Sequence, residues 1–163
     1  MTEEAPAIFV ALELSAFGAY IRQSVWLFPL ANVGHIVSLV LFAGAIAVMD
    51  VRLLGGFSAT SPARVLVRAR RYAIGAFLLM VATGFILFTA EASHLATNHV
   101  FQLKVVIIGA ALVNVAIFEF GLRPSVVNLP PGVAMPQRAR VAAMLSLGLW
   151  IAVAACGRSI AYF

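Results

Sequence analysis

The sequence predicts an all-α integral membrane protein, a four-helix transmembrane bundle preceded by an N-terminal interfacial amphipathic helix. Three observations predict it. The 163 residues are 63% hydrophobic and only 10% charged, with a mean hydropathy of +1.05, whereas soluble domains are about 25% charged. Uncharged runs occupy Gln23 to Met49, Tyr72 to Ala90, Val105 to Phe118 and Val141 to Gly157, and a bilayer-spanning helix needs about 20 mostly apolar residues. The basic residues also segregate. Arg52, Arg64, Arg68, Arg70 and Arg71 follow the first run, and Arg123, Arg138 and Arg140 follow the third. Eight of the eleven lysines and arginines therefore share one side, which the positive-inside rule makes cytoplasmic. The chain is expected to be a single transmembrane domain of the bacterial inner membrane, with both termini on the periplasmic side.

The opening "MTEEAPAIFV" is acidic where a signal peptide needs a basic start, so it is expected to be retained. Residues 7–20, "AIFVALELSAFGAY", are too short to span and read as a helix lying in the outer interface. The first span covers about 23–50; Trp26 belongs to its aromatic belt and Pro29 to its first turns. "LLGGFSATSP" is a turn, and Ser61 followed by Pro62 has the form of an N-cap and first-turn pair. "ARVLVRARR" leads into a second span at about 71–93. "EASHLATNH" reads as an outward loop. The third span, about 99–120, is long enough only if it starts near His99 and includes Lys104. "GLRPSVVNLPPGVAMPQ" has four prolines and reads as an extended cytoplasmic loop. The fourth span covers about 140–161. Gly34, Gly44, Gly75, Gly84, Gly109, Gly148 and Gly157 are scattered over the spans, which points to close helix packing.

Much chemistry is excluded. The single Cys156 forbids an internal disulfide and a Cys-rich metal motif. No phosphate loop, GxSxG or HExxH is present. The five methionines do not cluster, against the grouped soft ligands that copper transport favours. The pI near 10.4 follows from the cytoplasmic arginines and needs no nucleic acid; the partner it implies is the lipid bilayer.

The intramembrane polar residues carry the functional reading, because such groups are costly in hydrocarbon and face the bundle interior. At about 1.5 Å of rise per residue, His35 lies roughly 22 Å above the cytoplasmic edge at Asp50. Lys104 and Cys156 lie about 24 Å up, and Arg158 about 27 Å. Thr83 to Thr89 bracket that layer. Asn32, His35, Ser38 and Phe42 share a stripe at three- and four-residue steps. His35 is either a buried, hydrogen-bonded histidine or an axial ligand to haem iron, for which neutral imidazole is suited. Lys104, Arg158 and Arg22 would then meet haem propionates. For a second axial ligand the candidates are His99, His94 and Lys104. His94 stands about 12 Å above His35 on straight helices, and Met80, at about 13 Å, lies too low. His94 and His99 otherwise read as solvated loop residues. Asp50 is expected to pair with Arg70, Arg71 or Arg140 as an anchor, Asn114 to make an interhelical hydrogen bond, and Glu119 to meet the basic interface.

The residues "WLFP" (26–29), His35, Gly44, "DVRLLGG" (50–56), Thr83–Gly84, "FQLK" ending at Lys104, and Gly157–Arg158 resemble a family of small four-helix bacterial membrane proteins without assigned chemistry. More distantly, His35, then Gly44, then a lysine opening a later helix is similar to the CopD-type copper-resistance membrane domain and the HemJ-type protoporphyrinogen oxidase. The HemJ-type likeness implies haem b and redox chemistry, although "VFQLK" stands where that family has Trp-Leu-His-x-Lys. The preferred expectation is therefore a b-haem membrane protein handling electrons, with quinone, a porphyrin or a redox protein as its partner. The alternatives are a small-solute or metal-ion transporter and a non-catalytic subunit of a larger membrane complex, either of which would accommodate a homo-oligomer.

Overall fold

The computed structural model describes residues 5–162, so the acidic start Met1–Glu4 lies outside the described residues. It is all-helical, and among the described residues four helical segments are long and apolar enough to cross a membrane. They contain α3 (Leu27–Leu54), α4 (Pro62–Ala90), α6 (His99–Ile117) and α8 (Gln137–Ser159). The remaining α-helices are α1 (Ala7–Leu14), α2 (Ala16–Gln23), α5 (Ala92–Thr97) and α7 (Arg123–Val127).

The boundaries follow from local chemistry. The expected interfacial helix breaks at Ser15, which turns extended; its Oγ donates to the Leu12 carbonyl and accepts from the Gly18 amide. Helix α3 stops where Gly55 adopts φ +113°, a left-handed conformation that glycine adopts without penalty. Gly56 and Gly55 amides then reach back to the Val51 and Arg52 carbonyls at 2.8 and 3.2 Å. Pro62 occupies the first turn of α4 as expected, though the Ser61 side chain makes no capping bond. The basic lead is thus continuous with the second span. The loop before α6 is itself helical as α5, and Asn98 caps α6 by accepting from the Phe101 amide at 3.0 Å.

The proline-rich segment after α6 is helical in its first part, and only residues 128–136 form the expected loop. A π-helical turn, Phe118–Leu122, joins α6 to α7. Pro124 lacks the N–H that a continuous ladder needs, and a π turn accommodates such a break. Val126 and Met135 are then buried with Met49, Leu53, Leu66 and Phe118 in a core at the arginine-rich end. The Gly132 amide ties the loop to Ser58 at 2.8 Å.

The four long helices pack as a row. α4 lies on α3, α3 on α8 and α8 on α6, while α4 and α6 make no extended contact. α4 meets the α6 segment at its two ends: Phe88 stacks on Phe101 at 5.5 Å, and at the arginine-rich end Arg70 pairs with Glu119 at 2.9 Å beside the core that Leu66 shares with Phe118 and Val126. The α6 segment is accordingly the most exposed, 11% buried against 33–39% for the others. Mid-bundle, Phe42, Phe77 and Trp150 pack edge-on or tilted at 4.6–6.3 Å. Gly44, Gly75, Gly109 and Gly148 have open space where a side chain would stand. The expected close packing therefore holds at Gly34, Gly84 and Gly157 only, where a neighbouring side chain fills that space.

Beyond the far end of α4, α1 and α2 pack with α5 and α4 as a cap. Ile21 and Ala92 are fully buried there. The Glu13 carboxylate accepts from the Ser93 amide at 2.8 Å and from the Ser93 hydroxyl, and this pairing holds its pKa below the usual carboxylate range.

Candidate functional site

The inward stripe of α3 runs through Ala31, Ser38 and Phe42, all buried, with His35 half-buried beside it. Asn32, expected on this stripe, is exposed, since it stands about 100° around the helix from Ala31. Ser38 is fully buried, but its hydroxyl donates to the His35 carbonyl within its own helix at 2.9 Å.

The His35 ring is oriented by α4. Its Nδ1 lies 3.0 Å from the Met80 carbonyl and 3.1 Å from the Thr83 hydroxyl. A carbonyl can only accept, so this network assigns the proton to Nδ1. The Thr83 hydroxyl donates to the Leu79 carbonyl at 2.8 Å, which leaves its oxygen to accept from Nδ1–H. The consequence is a free lone pair on Nε2. Metal-binding histidines show this arrangement, one ring nitrogen donating to a carbonyl while the other faces the ion.

Glycine makes the approach possible. A Cβ at Gly84 would stand 3.1 Å from His35 Cε1 and 3.4 Å from Nδ1, and one at Gly34 would stand 3.2 Å from the Thr83 methyl. Met80 was expected well below His35, but its carbonyl is level with the ring. The reason is that α4 begins at Pro62 rather than near Arg71. Measured from the helix ends, His35 and Met80 are then about 28 and 27 Å along antiparallel neighbours.

From the other side of the row, Lys104 of α6 is half-buried. Its Nζ lies along Gly157 of α8, where a Cβ would be 3.4 Å away. Of the expected layer, Lys104 is brought against the Cys156–Gly157 stretch of α8, while His35 is held by α4. Arg158 is turned outward, 4.6 Å over the Tyr162 ring with a hydrogen bond to its hydroxyl. Arg22 donates to the Glu13 and Ala90 carbonyls at 2.7 and 3.2 Å, so it ties the cap to α4. His94 and His99 are exposed at the α5 end and are not brought to His35.

The anchor expected at Asp50 is different from the one observed. Asp50 pairs with none of Arg70, Arg71 or Arg140; among the described residues the ion pairs are Arg70–Glu119 at 2.9 Å and Arg123–Glu119 at 3.8 Å. Glu119 takes Arg70 instead, and Asp50, only 5% exposed, faces the interior away from the basic side chains. Asn114 does make its interhelical bond, donating to the Ala142 carbonyl at 3.0 Å.

A family model matches residues 12–163, described as a family of unknown function, DUF6644. The chain belongs to the DUF6644 family. Neither a curated protein nor a solved structure matches it. The match takes in every helix of this DUF6644 chain from α2 onward, and so the whole His35 and Lys104 layer.

Proposed function

We propose that this DUF6644 protein is a b-haem integral membrane protein of the bacterial inner membrane, handling electrons in the half of the bilayer away from the arginine-rich end. That end is cytoplasmic by the positive-inside rule, which puts both termini and the α1–α2–α5 cap on the periplasmic side.

One observation carries the reading: His35 Nδ1–H is held by the Met80 carbonyl, so Nε2 is presented with a lone pair and a fixed ring plane. The donor set suits a porphyrin better than a bare ion. Among the described residues no group of three His, Cys, Asp or Glu side chains converges to hold a metal ion, whereas haem brings four nitrogens and needs the protein only at the axial positions. His35 would hold the iron through Nε2. Lys104, half-buried on α6, would be a second residue to hold the group, as a ligand in its neutral form or as a cation toward a propionate. When bound, the haem would supply one-electron redox chemistry. The protein's own residues orient the imidazole and keep the site within apolar helices.

The test is the absorbance spectrum of the purified protein with pyridine haemochrome analysis. A Soret band that is lost in His35→Ala and shifted in Lys104→Met is the expected result. A colourless preparation at full yield, or a band indifferent to His35→Ala, overturns it.

A further inference from the structure

A cavity of about 250 Å³ lies nearer the arginine-rich end, lined by all four long helices. Its walls are apolar and aromatic, with Phe42, Phe77, Phe118 and Trp150 among them. The buried Ser146 hydroxyl stands beside Asp50 in that wall, yet two polar atoms there lack a hydrogen-bond partner among the described residues. Asp50 is 5% exposed, and its Oδ2 is buried without a hydrogen bond; the Trp150 indole Nε1–H is likewise buried and unpaired. An unmade hydrogen bond at a buried group costs about 1–3 kcal/mol, more for a charge, so the site is built to be completed. Arg70 and Glu119 also line it, but they satisfy each other at 2.9 Å.

The position of the opening is set by the packing. α4 and α6 make no extended contact, and Ile74, Leu78 and Leu112 line the cavity while remaining 43%, 63% and 42% exposed. Entry is therefore lateral, from the lipid. An apolar cavity of about 150 Å³ holds benzene and drug-sized pockets begin near 300 Å³, so this one takes a single substituted ring.

We propose that the cavity binds the ring of a lipid-soluble benzoquinol or benzoquinone, with Asp50 and Trp150 as its polar contacts and any tail left in the lipid between α4 and α6. The two unpaired groups decide the class. A ring hydroxyl can donate to a carboxylate such as Asp50 and accept from an indole N–H such as that of Trp150. A quinone carbonyl can accept from either Trp150 or a protonated Asp50. An ammonium could satisfy Asp50 but has nothing to offer the indole N–H. The site stands about 22 Å along α3 from His35 and does not depend on the haem reading.

The test is titration of the detergent-solubilised full chain with a short-chain benzoquinol under argon, reading Trp150 fluorescence in a Trp26→Phe background. It is repeated with His35→Ala so that haem content cannot change the outcome. Saturable quenching is expected, weakened about tenfold or more by Asp50→Asn. Leu78→Phe with Leu112→Phe is expected to weaken it as well, by narrowing the opening without entering the packed core. If Asp50→Asn does not fold, that double variant carries the test. Quenching that rises linearly without saturation, binding indifferent to these variants, or tighter binding of phenethylammonium than of the quinol would overturn the proposal.

Discussion

Replacing Gly84 by alanine tests the contact that orients His35, and Gly75, on the same helix, supplies the control. A Cβ at Gly75 meets open space, so Gly75→Ala should gain the usual helix-propensity benefit of up to about 1 kcal/mol. At Gly84 the same methyl stands 3.1 Å from His35 Cε1, short of the roughly 3.5 Å at which carbons rest in contact. The ring must retreat by about 0.4 Å. Moved directly away, its 3.0 Å bond to the Met80 carbonyl stretches to about 3.4 Å, beyond the normal range for N–H···O. That forfeits part of a bond with a net worth of about 0.5–1.5 kcal/mol. The propensity gain and the contact loss nearly cancel, so Gly84→Ala should be close to neutral and about 1 kcal/mol less stable than Gly75→Ala. Gly84→Val adds two further methyls and should cost about 1–3 kcal/mol by overpacking. The assay is equilibrium unfolding in mixed micelles of increasing dodecyl sulfate content, followed by far-UV circular dichroism. The His35 imidazole nitrogen shifts are read in parallel for the loss of the Nδ1–H bond. Equal stabilisation by the two alanine variants, with unchanged nitrogen shifts, would refute the packing argument.

Three further outcomes are expected. Glu13 has a folded pKa held below its ordinary value of 4.5 by Ser93. Its stabilisation of the cap is therefore complete above that value and is lost as pH falls through the lower folded pKa; exchange at the Ser93 amide, corrected for its intrinsic pH dependence, should rise only in that acid range and lose this step in Glu13→Gln. Arg70→Met removes the ion pair that joins α4 to the α6 segment, with side chains 38% and 16% exposed. It should cost no more than about 1 kcal/mol while increasing distance fluctuations between spin labels at Leu78 and Leu112. Asn114→Leu deletes a single interhelical hydrogen bond and should lower stability by about 0.6 kcal/mol in the same micelle unfolding assay; a loss several times larger would mean that Asn114 supports more than the Ala142 carbonyl.

The number and type of the long helices could be read from the sequence because spanning length is a local, compositional property. Four apolar runs became four long helices, and Pro62 and His99 marked where two of them start. The interior location of His35 was equally legible, since a polar group on an apolar helix has few places to go. Depth was harder. Counting from the nearest charge misplaced Met80, because α4 continues through its arginines to Pro62, and a proline, not a charge, marks that helix start. Ser93, the partner of Glu13, and Ala90, which Arg22 reaches on α4, lie 80 and 68 residues away, so no local pattern announced them.

By itself the sequence determined that this is a chain of four membrane-length helices with one basic end and a polar layer toward the other, because hydrophobic run length and charge position are properties of the chain read in order. Only the tertiary structure decided which polar groups are spent and which are free. Arg22 is committed to backbone carbonyls and Arg158 to Tyr162. Glu119 takes Arg70, while Asp50 Oδ2 and Trp150 Nε1–H, like Arg52 Nε and Arg123 Nε, are buried without a hydrogen-bond partner among the described residues, and His35 is held by Met80 with Nε2 open. Hydrogen bonding is a competition settled within about 3 Å, and the competitors come from helices far apart in the chain, so their arrangement in space decides the outcome.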